Sequence, residues 1–152
     1  MKTFIQKIFI GCPRWITILS LLTPMTSLAA NAPALKEASE LFDKGAYGQS
    51  IAAAEKIKAG DTKLKAEVEF FIATAFAKMQ TFDKAIPHFK EAERLGHGTN
   101  SLHYDYGQAL FATQQLQDAE AQFKKSILRR FKQGASAYYI GYIRQILEDI
   151  DG

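Results

Sequence analysis

The sequence repeats itself at a regular interval. Ala85 recurs as Ala119, and Phe89 recurs as Phe123, each pair 34 positions apart. A column of small residues has the same spacing: Ala73, Gly107 and Gly141. A repeat of this length forms one supersecondary unit, which buries its apolar face only by stacking on its neighbours. The chain must therefore fold as an array of similar units.

The spacing within each unit is helical. Residues 66–79 are so apolar that the predicted helix must be covered on more than one face. Thr81 precedes the next predicted helix and is expected to cap it. Pro87 lies inside that helix, which we expect to continue with a local bend. An earlier unit has Ser50 in the column of Ala85, with one additional residue in its loop.

A period of about 34 residues with two helices per unit resembles the tetratricopeptide repeat family, and the chain looks like an exported bacterial member of it. The family's Trp and Leu-Gly pair are reduced here to Tyr106-Gly107 and Ile140-Gly141, and its unit-ending Pro is replaced by His97 and Phe131. The resemblance implies an all-α fold, a right-handed superhelical array of antiparallel helix pairs (an α-solenoid) with about three and a half repeats. The implied repeat domain covers 30–152, with units at about 31–65, 66–99 and 100–133 and a terminal helix at 134–150.

The N-terminal segment, 1–29, has the three-part pattern of a secretory signal peptide. A basic stretch ends at Arg14, an apolar run follows, and Ser27 and Ala29 have the spacing that signal peptidase requires. We expect cleavage after Ala29, with Ala30 as the alternative. An uncleaved anchor is less favoured, because Arg14 inside a bilayer would cost about 2.5–3.5 kcal/mol. We therefore expect an exported bacterial protein, periplasmic or secreted, without a transmembrane segment after signal removal.

Charge and residue chemistry exclude several functions. The chain holds 19 basic and 16 acidic residues, and the excess comes entirely from Lys2, Lys7 and Arg14 in the predicted signal. A neutral mature chain does not predict a nucleic-acid surface. The single cysteine, Cys12, also lies in the signal. No catalytic constellation and no cofactor or metal motif is visible, so we expect a protein that is not an enzyme.

Aromatic and polar residues in the first helix of each pair predict a binding groove. In arrays of this kind the first helices line the concave face, and aromatic side chains are typical anchors of protein interfaces. The predicted partner-binding residues are Phe42, Phe70, Phe71, Thr74, Tyr104, Gln108, Phe111, Tyr138, Tyr139 and Tyr142. Several of them could instead pack between helices. Some family members bind a carboxylate terminus through cations on this face, but the matching positions here hold none, and Asp105 would repel such a ligand.

Two polar groups have simpler interpretations than a specific site. His97, His103 and Asp105 could bind zinc, but their spacing favours a polar loop between units. The basic run from Lys124 to Lys132 could meet an anionic surface, yet it is more typical of a solvated outer face.

The sequence therefore predicts a scaffold or adaptor of the bacterial cell envelope that binds a partner peptide or helix in an aromatic groove. The alternative is an N-terminal spacer of a larger envelope assembly protein. The last predicted helix is apolar on more than one side, through residues such as Ile143 and Leu147. A solvent-facing cap should avoid this, so self-association through this helix, or a longer array, is also predicted.

Overall fold

The computed structural model describes residues 33–151, which form seven α-helices after a 3₁₀ turn at Pro33–Leu35. The helices are α1 (Lys36–Asp43), α2 (Tyr47–Glu55), α3 (Thr62–Lys78), α4 (Phe82–Arg94), α5 (Leu102–Ala112), α6 (Leu116–Leu128) and α7 (Gln133–Asp151). Each packs mostly on its sequential neighbours, in the pairs α1–α2, α3–α4 and α5–α6, with α7 against α6. The all-α class is confirmed, and the arrangement is consistent with a helical repeat array. The predicted signal peptide, residues 1–29, lies outside the described residues.

The repeat columns are the places where paired helices touch. Ala85, Phe89, Ala119 and Phe123 are all fully buried. Gly107 is buried beside Phe123, and a Cβ added at Gly107 would lie 3.0 Å from two carbon atoms of that ring. Small side chains let the helix axes approach while the aromatic rings fill the space between them. The buried contacts between paired helices therefore recur with the same 34-residue spacing as the sequence columns.

The turn that follows the first helix of each pair has the same backbone conformation in all three pairs. Gly45, Gln80 and Gln114 each follow the first helix of a pair, and all three adopt positive φ. At the third of these turns, the amide of Gln115 donates to the carbonyl of Leu110 at 2.9 Å. This is the Schellman hydrogen bond that ends a helix. Because glycine occupies only one of the three positions, the shared turn geometry was not visible in the sequence.

The helix α3 separates two hydrophobic cores. Phe70 and Ala73 belong to a core shared with α4 to α7, whereas Phe71, Ile72 and Ala75 belong to one shared with α1 and α2. The prediction that this helix is covered on more than one face is confirmed. Phe76 is partly buried against both cores, so it joins them at the edge of α3.

The starts of α3 and α4 differ in how they are capped. Asp61 caps α3, because its carboxylate accepts from the amide of Leu64 at 2.7 Å. The predicted cap at Thr81 is wrong: its hydroxyl donates backwards to the carbonyl of Phe76 at 3.0 Å. Thr81 is therefore occupied in closing the preceding turn. The helix α4 continues through Pro87, as expected.

Candidate protein-binding groove

Five of the ten predicted partner-binding residues are at most 7% exposed. Phe42, Phe70, Phe71 and Tyr104 belong to the cores, and the fifth, Thr74, is a buried polar residue. Phe70 packs between the rings of Phe89 and His97, at centroid distances of 6.0 and 4.5 Å. The four core side chains have almost no surface to offer a partner in this conformation, and their burial stabilises the helix pairs instead. The candidate surface is correspondingly smaller than the predicted row.

Four of the predicted residues line a single open cavity. Thr74 comes from α3, Gln108 and Phe111 come from α5, and Tyr139 comes from α7. The cavity has a volume of about 490 Å³. Its remaining lining residues are Ala77, Lys78, Gln80, Phe82, Phe89, Asp105 and Ala112. We call this cavity the groove, because it brings together residues of three first helices that are far apart in the sequence.

The aromatic wall of the groove is held firmly by the core. The ring of Tyr139 stacks on that of Phe123, with centroids 4.6 Å apart and planes 4° from parallel. Phe111 meets Tyr139 edge to face at 5.2 Å. Aromatic pairs of this kind are worth about 0.5–1.5 kcal/mol beyond the area they bury. The wall is thus preorganised, which lowers the entropy cost of binding.

The polar floor of the groove is held less strongly. The side-chain amide of Gln108 donates to the hydroxyls of Tyr104 and Tyr139 at 3.3 and 3.4 Å. Both distances are longer than those of typical protein hydrogen bonds, so a partner group can replace these contacts at low cost. Thr74 is different, because its hydroxyl donates to the carbonyl of Phe70 at 2.8 Å. Gln108 is therefore the polar residue best suited to recognise a ligand.

Asp105 gives the groove a titratable group. Burial raises the pKa of its carboxyl to about 6, although a hydrogen bond from Ser101 and the charges of Lys132 and Lys78 act in the opposite direction. The carboxyl therefore changes charge just below neutral pH. A cationic group brought by a partner would favour its ionised form.

The last two predicted residues lie on a different surface. Tyr138 and Tyr142 are 70% and 45% exposed and do not line the groove. Their rings stack on each other at 6.3 Å, with planes 9° from parallel. Tyr142 also contacts Phe111 at 6.0 Å, so it lies at the rim of the groove.

A polar pair between the two helices of a unit was missed in the sequence. Nδ1 of His88 lies 2.7 Å from Oε2 of Glu69, and Nδ1 of His103 lies 3.0 Å from Oε1 of Gln122. The two pairs occupy the same columns, one period apart. That shared spacing is the signal that could have revealed them. Polar side chains at these columns tie each first helix to its second helix.

The second of these pairs extends to a third helix. The side-chain amide of Gln122 donates to Oε2 of Glu93 at 3.0 Å, and Lys125 also pairs with Glu93. Burial opposes ionisation of Glu93, but the hydrogen bonds from Lys125 and Gln122 prevail and lower its pKa. This cluster links α4, α5 and α6 through charged hydrogen bonds.

The histidines that could have bound zinc have other partners. His97 stacks on Phe70, and its Nε2 lies 2.7 Å from the hydroxyl of Thr99. Burial lowers the pKa of His97. His103 is directed to Gln122 instead. Among residues 33–151, no cluster of three or more His, Cys, Asp or Glu side chains is arranged to hold a metal ion.

Comparisons with known proteins leave the family open. No model of a known protein family matches the chain, and no curated protein is significantly similar to it. In the described part of the chain, no helix has the length and apolarity that crossing a membrane requires. The described residues form an all-helical domain whose helices pack in sequential pairs. Residues of α3, α5 and α7 line its groove.

Proposed function

We propose that the protein is a tetratricopeptide-type scaffold or adaptor of the bacterial cell envelope, which binds a segment of a partner protein in the groove and catalyses no reaction. One observation carries this proposal. Side chains of α3, α5 and α7 converge on the same open cavity. Among them, Thr74 and Gln108 are 34 positions apart, as are Asp105 and Tyr139. Stacked repeats expose such positions as a continuous binding surface. The export signal predicted at the N-terminus supports a location in the envelope.

The residues that line the groove indicate which side chains a partner segment would carry. Its wall is aromatic, with Phe111 and Tyr139 held in place by their own packing. Its floor offers the side-chain amide of Gln108 and the carboxyl of Asp105. A partner segment with apolar or aromatic side chains would bury them on the wall, as helices do in hydrophobic grooves. A polar or basic group on the same segment would reach the floor.

Site-specific crosslinking in intact cells tests the proposal. A photoreactive amino acid at Phe111 is expected to capture one defined envelope protein. The matched control carries the same group at Leu128, which is 82% exposed and does not line the groove. Capture of the same protein from both positions would contradict a groove-specific partner.

Affinity measured with the captured protein gives the second readout. Phe111→Ala is expected to weaken binding about 30-fold or more, since truncating a central aromatic anchor costs at least about 2 kcal/mol. Leu128→Ala should leave the affinity unchanged. Unchanged affinity for Phe111→Ala, with the fold intact by circular dichroism, would refute the groove as the binding surface.

A further inference from the structure

The helix α7 exposes a face that has the composition of a helix–helix interface. We call it the α7 face and define it by Tyr138, Gly141, Tyr142 and Gln145, all of which are exposed. Their positions on a helix of about 3.6 residues per turn fall along one side, opposite the buried Ile143. Exposed tyrosines beside a glycine are unusual on a solvated helix surface, because they leave apolar area in water.

The repeat explains what this face is built to contact. Tyr138 occupies the column of Phe70 and Tyr104, which pack against Phe89 and Phe123 of their own second helices at 6.0 and 5.9 Å. Gly141 occupies the column of Gly107, where the next helix lies closest. In residues 33–151 no helix covers α7 on this side, and a Cβ at Gly141 would meet nothing within 4 Å. The part of the α7 face formed by Tyr138 and Gly141 is thus a helix-contacting surface without a helix on it. Tyr142 and Gln145 extend it along the columns of Gln108 and Phe111, which line the groove.

The charges at the two ends of α7 indicate what kind of molecule binds the α7 face. Three cations directly precede the helix, and three acids lie in its last turn: Arg129, Arg130 and Lys132, then Glu148, Asp149 and Asp151. A helix dipole favours the reverse distribution, with acids at the start and bases at the end. The first turn of α7 holds no acid and the last turn no base. The acidic end of α7 is therefore electrostatically unfavourable while the helix stands alone. The cations at its start also follow the C-terminus of α6, where the dipole of α6 favours them.

We propose that the α7 face binds a second copy of this chain, with the two α7 helices antiparallel. The basic start of one helix then lies beside the acidic end of the other, twice in the symmetric pair. Gly141 lies near the two-fold axis and allows close approach of the two helices, with Tyr138 and Tyr142 on either side of it. A parallel pair would bring like charges together at both ends, so the charges favour the antiparallel arrangement.

The dimer goes beyond the proposed groove and does not depend on it. One helix face is smaller than the roughly 800 Å² per partner of a standard interface, so the association should depend on protein concentration. Attraction between exposed charges should also weaken as salt screens it. Two chains joined in this way would carry two grooves, and a partner with two matching segments would gain avidity.

Analytical ultracentrifugation of charge-reversed variants of the full chain tests the proposal. Arg130→Glu and Glu148→Lys, each alone, are expected to weaken dimerisation about 5- to 20-fold, because each places like charges together at both symmetric contacts. The double variant restores opposite charges and should recover the association of the unaltered chain. Lys36→Glu reverses an exposed charge on α1, at the other end of the described chain, and serves as the control without effect.

The outcomes separate the possible occupants. A monomer at all accessible concentrations overturns the proposal, as does a dimer that the single reversals leave unchanged or strengthen. Failure of the double variant to recover association overturns the antiparallel contact. Crosslinking from Tyr138 that captures only a different protein, or a later segment of the same chain, assigns the face to that occupant instead. Phe111 contacts Tyr142 of the α7 face, so the groove is also probed from Lys78 of α3, which lines it and lies outside the α7 face. Either hypothesis can then fail without the other.

Discussion

Gly107→Ala and Gly141→Ala form a matched test of how the repeat is packed. Both glycines lie in the same column of neighbouring units, and both are inside α-helices. A Cβ at Gly107 would lie 3.0 Å from Cδ1 and Cε1 of Phe123, and that ring is fully buried between Tyr104 and Tyr139. A Cβ at Gly141 would meet nothing. The same substitution should therefore have opposite effects at the two positions.

The magnitudes follow from two separate terms. Replacing glycine by alanine in a helix interior stabilises by up to about 1 kcal/mol. Overpacking a filled core costs about 1–3 kcal/mol, because the ring of Phe123 has no space to move into. Gly141→Ala should therefore raise the free energy of unfolding by up to about 1 kcal/mol. Gly107→Ala combines both terms and should lower it by up to about 2 kcal/mol. The difference between the two variants isolates the steric cost.

Urea unfolding followed by circular dichroism measures both variants. With a slope of about 1–3 kcal/mol per molar urea, the two midpoints should differ by about 1 M. The measurement should be made at low protein concentration, so that self-association through α7 does not add to the measured stability. Equal stabilisation by both substitutions would refute the close approach of α5 and α6 at Gly107.

Four further substitutions test other features. Gln114→Gly should stabilise the fold by about 1 kcal/mol, because Gln114 adopts a φ of 61° that glycine tolerates without strain. Gly96→Ala should destabilise the fold by a similar amount, because Gly96 has a φ of 76°, with open space around it. The same urea assay measures both variants. Ser136→Ala should stabilise by about 1 kcal/mol, since the buried hydroxyl finds no hydrogen-bond partner among the described residues; a lower melting temperature would contradict this. The raised pKa of Asp105, about 6, means that the folded state holds a proton more tightly than the unfolded chain does. The ionised carboxyl therefore costs stability above about pH 6, and this cost decreases as the pH falls from about 6 to about 4, below which both states are protonated. Asp105→Asn should raise the free energy of unfolding at pH 7.5 by about 1–3 kcal/mol and have no effect near pH 4; a constant effect at both pH values would contradict it.

The repeat made the core predictable, because a column that recurs once in every unit must serve the same contact each time. Phe89 and Phe123 could thus be assigned to the core without any structure. The groove was predicted only in part. Residues at helical spacing share one face of a helix. The spacing does not reveal which residues of that face the neighbouring helix covers and which stay exposed. Phe71 and Thr74 were therefore predicted alike, although only Thr74 lines the groove.

Backbone conformation and polar pairing were the least visible features. Gln80 and Gln114 adopt a left-handed turn without glycine, so residue type gave no signal there; the surrounding hydrogen bonds impose the turn. The Glu69–His88 pair became recognisable only beside its counterpart one unit later. Comparing polar columns between units, as was done for the apolar ones, would have found it.

The position of α3 between two cores has a consequence for local opening. The core of α1 and α2 is completed by one side of α3, and the core of α4 to α7 is completed by the other. Detaching α1 and α2 would expose Phe71 and Ile72 but leave Phe70 covered. Hydrogen exchange should therefore show two protection classes, with amides of the first two helices exchanging through a lower-energy opening. Proteolysis in native conditions should begin in the α2–α3 loop, residues 56–61, and leave the remaining helices as a resistant fragment.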